Sequence, residues 1–237
     1  MSKLYHLSRM AAPGTWPVKR KGIKWIAKPL PGPHSTYYSM TLGTWLQEIL
    51  GLAKTKRDIK RILIQGDVLV NSRAIKELNF PVGLFDVLSL SKLKKNYRVL
   101  LNSIGKLILT EVSDADAKLV PAKIISKTTS KAGKLQINCN NGWNFISGKD
   151  EYKIGDVLFF DSTQRKLVKH VKLAKGAIAF VIGGSHVGSV AKLDTIKESG
   201  KLRKQKIAVL SADKETWETN LEQVFVIGEK SPEIKVT

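Results

Sequence analysis

Five cations fall within eight residues of this sequence: Lys54, Lys56, Arg57, Lys60 and Arg61. Guanidinium groups hold phosphate oxygens through paired hydrogen bonds, and lysines add mobile point charges. That chemistry binds a polyanion; it makes no bonds. Groups able to make or break bonds are sparse by comparison. The four histidines, His6, His34, His170 and His186, show no metal-ligand spacing. Gly183-Gly184 with Gly188 lacks the Gly-x-Gly-x-x-Gly order of a dinucleotide loop, and Ser189 stands where a P-loop needs its lysine. Asp114 and Asp116 read as helix-capping groups, not as an acid and base pair. Cys139 is the one cysteine, which excludes an intramolecular disulfide and a cysteine-cluster zinc site. The sequence therefore predicts no catalytic residue, no cofactor, no metal and no small-molecule substrate.

The charge balance points the same way. Lys+Arg number 40 against 20 Asp+Glu in 237 residues, a formal net charge of +20 and a pI near 10.0. Each cation that meets a phosphate releases condensed counterions, a driving force independent of base sequence. Seven of these cations lie before residue 48, where Glu48 is the first acid, whereas residues 171–237 hold eleven basic against eight acidic groups. A basic arm leading into better-balanced modules is the expected layout. Trp16, Trp25, Tyr37 and Tyr38 are interleaved with the arm's cations. Two readings stand for them: stacking on nucleobases, or stapling the arm to its own core. No apolar run reaches the roughly 18–20 residues of a membrane span, so no membrane partner is expected. The single cysteine suits a reducing cytoplasm.

These groups need elements to position them. Residues 1–41 carry Pro13-Gly14, Pro17, Pro29 and Pro31-Gly32-Pro33, which rule out a long helix or a central strand. Such a segment is expected to be separable from a folded remainder. Leu42, Trp45, Leu46, Ile49 and Leu50 recur with helical spacing, with Thr41 as N-cap and Gly51 at the C-terminal turn. Thr55, with Asp58 three residues on, opens a second helix that ends at Gly66. On it Ile59, Ile62 and Leu63 share one face while Arg57 and Arg61 point away, Lys60 flanks and Lys54 lies near the start. Taken alone, the cationic face is either a binding surface or a merely solvated one. Asp67–Val70, Arg73–Ile75 and Phe85–Leu90 read as strands around a turn at Asn71-Ser72. Further short strands follow at 97–101, 107–110, 122–126, 134–138, 157–161 and 166–173, with a capped turn at 113–118. Residues 81–88 and 153–158 share a weak echo, each a turn feeding a buried strand. The last segment reads as strands at 177–182, 189–193, 207–210 and 223–227 around a loop at 183–188, and suggests an SH3-like barrel. The expected class is α+β multidomain: a basic extension (1–41), a small helix/β module (42–93), a central β domain (94–170) and the C-terminal barrel (171–237).

Residues 42–90 resemble the S-four RNA-binding fold, through Leu50-Gly51-Leu52-Ala53, the basic helix and Gly66-Asp67-Val68-Leu69-Val70-Asn71. The whole chain is similar in order to the archaeal and eukaryotic ribosomal protein S-four-e family. His6-Leu7-Ser8-Arg9-Met10-Ala11-Ala12-Pro13 with Trp16 looks like its start, and Pro29 to His34 like its Pro-Gly-Pro-His block. Asn96 to Leu100 looks like the start of its central β domain, and Lys175 to Val190 like its KOW barrel. The resemblance implies a structural component of the small ribosomal subunit, partnered by ribosomal RNA and neighbouring small-subunit proteins. It implies RNA contacts from His6, Arg9, Trp16, Lys19, Arg20, Lys21, Lys24 and His34 in the arm. Lys54, Lys56, Arg57, Lys60, Arg61, Asn71 and Arg73 would supply them from the module, and Gly183, Gly184 and His186 from the loop. Ser185-His186 and Ser189 depart from the small residue, Asn and basic residue usual in that loop. The alternative is an RNA-modifying enzyme, such as a pseudouridine synthase, carrying the same module. It requires a catalytic domain of roughly 150 residues, and the remaining sequence divides into small β units instead.

Overall fold

Short runs of β-branched and aromatic residues, broken by Gly, Asn and Pro, give a protein that is mostly β with few helices. A computed structural model describes residues 6–130, 133–148, 150–199, 205–212 and 215–236. In chain order the elements are β1 (Leu7–Ser8), β2 (Trp25–Ile26), β3 (Ser39–Thr41), α1 (Leu42–Thr44, continued by a π turn over Trp45–Ile49), α2 (Lys56–Ile64), β4 (Val68–Val70), β5 (Arg73–Ala74), β6 (Pro81–Gly83), β7 (Val87–Leu90), β8 (Lys95–Leu101) and β9 (Leu107–Val112). Next come α3 (Asp114–Lys118), β10 (Leu119–Thr129), β11 (Leu135–Cys139), β12 (Asn144–Ser147), β13 (Val157–Asp161), β14 (Leu167–Val171), β15 (Ile178–Val181), β16 (Val190–Ser199), β17 (Gln205–Ala212), β18 (Glu215–Asn220) and β19 (Val224–Gly228). Among the described residues no helix is long and apolar enough to cross a membrane. Two compact units divide the chain: Met1–Leu100 with Lys106–Val120, and Leu101–Gly105 with Pro121–Thr237.

The first unit is built on a five-stranded sheet of order β5-β4-β7-β8-β9. Strands β4 and β5 join through Asn71 and Ser72, both at positive φ (48° and 64°) as a two-residue hairpin turn requires. Strands β7 and β8 pair antiparallel, Val87 opposite Arg98 and Leu90 opposite Lys95. The expected boundary at 93/94 therefore cuts a hairpin, and residues 95–112 complete the first sheet. Arg98, fully buried, donates to the carbonyls of Asp116 and Leu119 at 2.7 Å each and so holds α3 to β8. Burial pushes its guanidinium down to about 10.

Thr41 caps α1 as expected, its hydroxyl accepting from the Thr44 N–H. The helix then widens, with the Leu50 N–H donating to the Trp45 carbonyl at 3.0 Å. One extra residue in a turn rotates the residues beyond it by about 100°. Leu42, Trp45 and Leu46 are fully buried, but Ile49 and Leu50 leave that stripe and are half-buried.

The arm is not separable. Trp16 is 1% exposed and Met40 fully buried. The Leu107 N–H of β9 donates to the Thr15 carbonyl, and β3 pairs with β6. Removing residues 1–40 would take core from the first unit.

The second unit carries two five-stranded sheets, β12-β11-β10-β13-β14 and β18-β17-β16-β15-β19. Ala122, Ile124, Ile137, Cys139, Leu158 and Phe160 form the core of the former. Ala179, Val181, Ala191, Leu193, Ala208, Leu210 and Val224 form that of the latter. Lys123 of β10 donates to three carbonyls, Leu221, Glu222 and Val224, at 3.1, 3.0 and 2.7 Å. Burial pushes its amine down to about 8, against the opposing pull of Glu222.

The weak echo of the sequence is a shared turn. Asp86 accepts from the Gly83 N–H at 2.9 Å, and Asp156 accepts from the Lys153 N–H at 2.9 Å. Each buried carboxylate also meets a histidine Nε2: His34 at 2.9 Å from Asp86, His170 at 2.8 Å from Asp156.

Candidate nucleic-acid interface

Helix α2 separates its two faces as its periodicity predicts. The Thr55 hydroxyl accepts from the Asp58 N–H and donates to its carboxylate, which fixes the first turn. Ile59 and Leu63 are fully buried and Ile62 is half-buried. Lys54, Lys56, Arg57, Lys60 and Arg61 are all exposed. No ion pair among the described residues involves any of these five. Arg73, at the tip of the β4–β5 hairpin, is exposed as well. Asn71 is committed inward, donating to Asp86 and accepting from the Val87 N–H, so its amide closes the turn. Its assignment as an RNA contact is corrected to a structural one.

In the arm the cations divide. Lys19, Lys21 and Lys24 are exposed. Arg9 is 7% exposed and grips Glu48 through two bonds of 2.8 and 2.6 Å, while also donating to the carbonyls of Ile23 and Lys19. Arg20 gathers the carbonyls of Arg9, Met10, Ala12 and Pro13. These two guanidiniums serve the arm's own backbone, which has little regular structure to satisfy its carbonyls. Trp16 donates its indole N–H to the Thr36 carbonyl and is core, so the stapling reading holds for it and its stacking assignment is corrected. His34, its side chain 7% exposed, is likewise packed inward: a Cβ on Gly83 would lie 2.3 Å from its ring. Burial works against its charged form, but the Asp86 carboxylate more than offsets this and holds it above the ordinary histidine value. Asp86 is held low in turn, against burial, by His34, the Gly83 N–H and Asn71. His6 is exposed and meets Trp25 edge-on at 5.4 Å.

The loop after β15 is laid on its own unit. A Cβ on Gly183 would lie 3.0 Å from the Gln223 amide carbon, and one on Gly188 would fall 2.6 Å from the Asn102 carbonyl. His186 stacks on Trp217 with ring centroids 4.3 Å apart and planes at 15°. The Ser189 hydroxyl donates to the His186 carbonyl. These glycines are present because the loop packs closely, and His186 is half-buried by its stack.

Comparison with known proteins identifies the relatives. Residues 93–167 match the profile of the ribosomal family S4e, and residues 1–37 match that of the RS4NT domain. The small ribosomal subunit protein eS4 of Methanocella arvoryzae is 37% identical over 230 residues, 97% of each chain. The chain belongs to the ribosomal S4e family. The eS4 protein of Methanocaldococcus jannaschii is 36% identical over 239 residues, 98% of this chain and 97% of that one. The crystal structure of the 30S ribosomal protein S4e from Thermoplasma acidophilum superposes with a TM-score of 0.71 at 26% identity, covering 84% of this chain and 99% of that one.

Membership in a family of structural ribosomal proteins sets the enzyme reading aside, and nothing supports a modifying activity. The His34–Asp86 pair has the form of a catalytic relay, but both side chains are closed off (7% and 5% exposed) and cannot meet a substrate. Sequence reasoning left Trp25 and Tyr37 of this S4e chain between stacking and stapling and did not separate them from Trp16. Trp25 is 48% and Tyr37 53% exposed. One signal was available for Trp25: it precedes Ile26 on a strand, and alternation sends only one of the two inward.

Proposed function

We propose that this chain is a structural constituent of the small ribosomal subunit that binds ribosomal RNA during translation in the cytoplasm. The single observation that carries the reading is the α2 face, five exposed cations without a carboxylate partner among the described residues, over a back formed by the buried Ile59 and Leu63. Cations left without internal partners in a chain of net charge +20 are matched by phosphates. Residues 42–90, within the larger first unit, act in this reading as an S-four-like module and the β15–β19 sheet as an SH3-like KOW barrel. Lys19, Lys21, Lys24 and Arg73 add phosphate contacts, and other faces meet neighbouring small-subunit proteins. The names of the relatives support the ribosomal role, and the cationic helix supports RNA as the ligand.

Binding of small-subunit rRNA fragments tests it. Arg57→Ala with Arg61→Ala is expected to leave the melting temperature nearly unchanged, since exposed substitutions shift stability by no more than about 0.5 kcal/mol. Affinity should fall at least about tenfold, with the double Arg→Lys variant between wild type and the alanine pair, because lysine cannot pair bidentately. Wild-type affinity in the alanine pair at moderate salt would make α2 a solvated face.

A further inference from the structure

Of the arm's two tryptophans, one is spent on the core and one is not. Trp16 is 1% exposed, whereas Trp25 is 48% exposed on a backbone that is already fixed. Ser8 pairs with Trp25 and Leu7 with Ile26, and the Arg9 N–H donates to the Lys24 carbonyl at 2.9 Å. Ile26, its neighbour, is 7% exposed, so the alternation of β2 turns Ile26 in and Trp25 out. The indole has two side-chain neighbours: the His6 ring meets it edge-on at 5.4 Å, and the Lys24 ammonium sits over the ring, 5.0 Å from its centroid. Met10 and Ile23, each 73% exposed, flank the same ladder. Exposed apolar surface gathered in one place marks an interaction site. Its setting decides the partner: Lys19, Lys21 and Lys24 are exposed and stand within six residues of it in the chain, and the sequence has no acidic residue before Glu48.

We propose that Trp25 is a stacking platform for an unpaired nucleobase on the ring face opposite Lys24, with Lys19 and Lys21 neutralising the flanking phosphates. The assignment rests on the RNA-binding reading above and deepens it by separating a base contact from phosphate contacts. A ring already held in place stacks without first losing rotamer freedom, and every base has a face to offer. Single-stranded or bulged RNA satisfies this site; a continuous duplex, with its bases stacked inside, does not.

The test compares Trp25→Ala and Trp25→Phe with wild type, each as the full chain, on a mixed-sequence single-stranded RNA oligonucleotide and on its duplex. Trp25→Ala should lower single-strand affinity about tenfold and leave duplex affinity and melting temperature as in wild type, with Trp25→Phe close to wild type. The slope of log affinity against log salt should not change, because no phosphate contact is lost. Wild-type affinity of Trp25→Ala for the single strand overturns the proposal alone, as does an equal loss on both RNAs with a shallower slope. Unchanged RNA affinity with loss of a neighbouring protein in subunit reconstitution also overturns it, in favour of a protein interface. Absence of RNA binding by the wild type overturns both readings at once.

Discussion

The contact between His34 and Asp86 joins the Pro-rich block of the arm to the first sheet, and it depends on a proton. With His34 held above the ordinary histidine value, the folded state keeps its proton over a pH range in which the unfolded chain has lost it. Stability from this pair is therefore complete below about pH 6.5 and is lost as pH rises through the folded value. Asp86, held low, stays ionised throughout that range. The expected result is that wild-type unfolding free energy falls with rising pH above about 6.5, relative to His34→Gln, and that the two curves converge. Near pH 6 the variant should be less stable by roughly 1.5–3 kcal/mol, the worth of a charge-assisted hydrogen bond. Denaturant titrations across this range check it, and parallel curves would show that His34 is neutral in the folded protein. Residue roles set by neighbours in sequence were legible: Thr41, Thr55 and Ser113 all cap as their spacing predicts. The division of Trp16 from Trp25, or of Arg9 from Lys24, was not, because it depends on partners such as Glu48 that lie tens of residues away.

Among the elements, α2 was readable because one amphipathic period gives both its seat and its free face. Helix α1 was readable in place but not in form, since no sequence pattern announces the π turn that carries Ile49 and Leu50 off the buried stripe. Strands β12 and β18 escaped notice for a different reason. β18 reads Glu-Thr-Trp-Glu-Thr-Asn and β12 has no fully buried residue, so neither shows the apolar alternation that betrays a strand. The glycine loop was read as a ligand loop, yet its close contacts are internal. Gly188 stands at φ 80° with Asn102 backbone where a Cβ would go. Gly188→Ala should cost roughly 2–4 kcal/mol, combining left-handed strain with overpacking against backbone. Gly148→Ala, with open space at its Cβ, should stay within about 0.5 kcal/mol. Equal stability of the two variants in chemical denaturation would mean that the loop is not seated.

At the scale of the whole molecule the net charge of +20 overstates what is available to RNA. Arg9 and Arg20 are turned onto the arm's own carbonyls, Arg98 is buried, the half-buried Lys123 is spent on three carbonyls, and several lysines pair with carboxylates. If about six phosphates are neutralised, log affinity should fall against log salt with a slope of roughly −4 to −5, far less than the total charge would give. Titrations on rRNA fragments between low and moderate salt measure it; a slope near zero would remove electrostatics as the driving force. The succession of short strands and few helices was legible across the chain, whereas the expected α+β balance gave way to a mostly β fold and the division into units was not legible, since it depends on which hairpin closes which sheet. The Arg9 and Arg20 staples carry a last consequence. A proline-punctuated basic tail ordinarily stays disordered and sets on its target, at roughly 1–2 kcal/mol of backbone entropy per residue ordered. Here Arg9 and Arg20 already satisfy the arm's carbonyls within the fold, so on the proposed RNA-binding reading little of that ordering cost would be left to subtract from affinity.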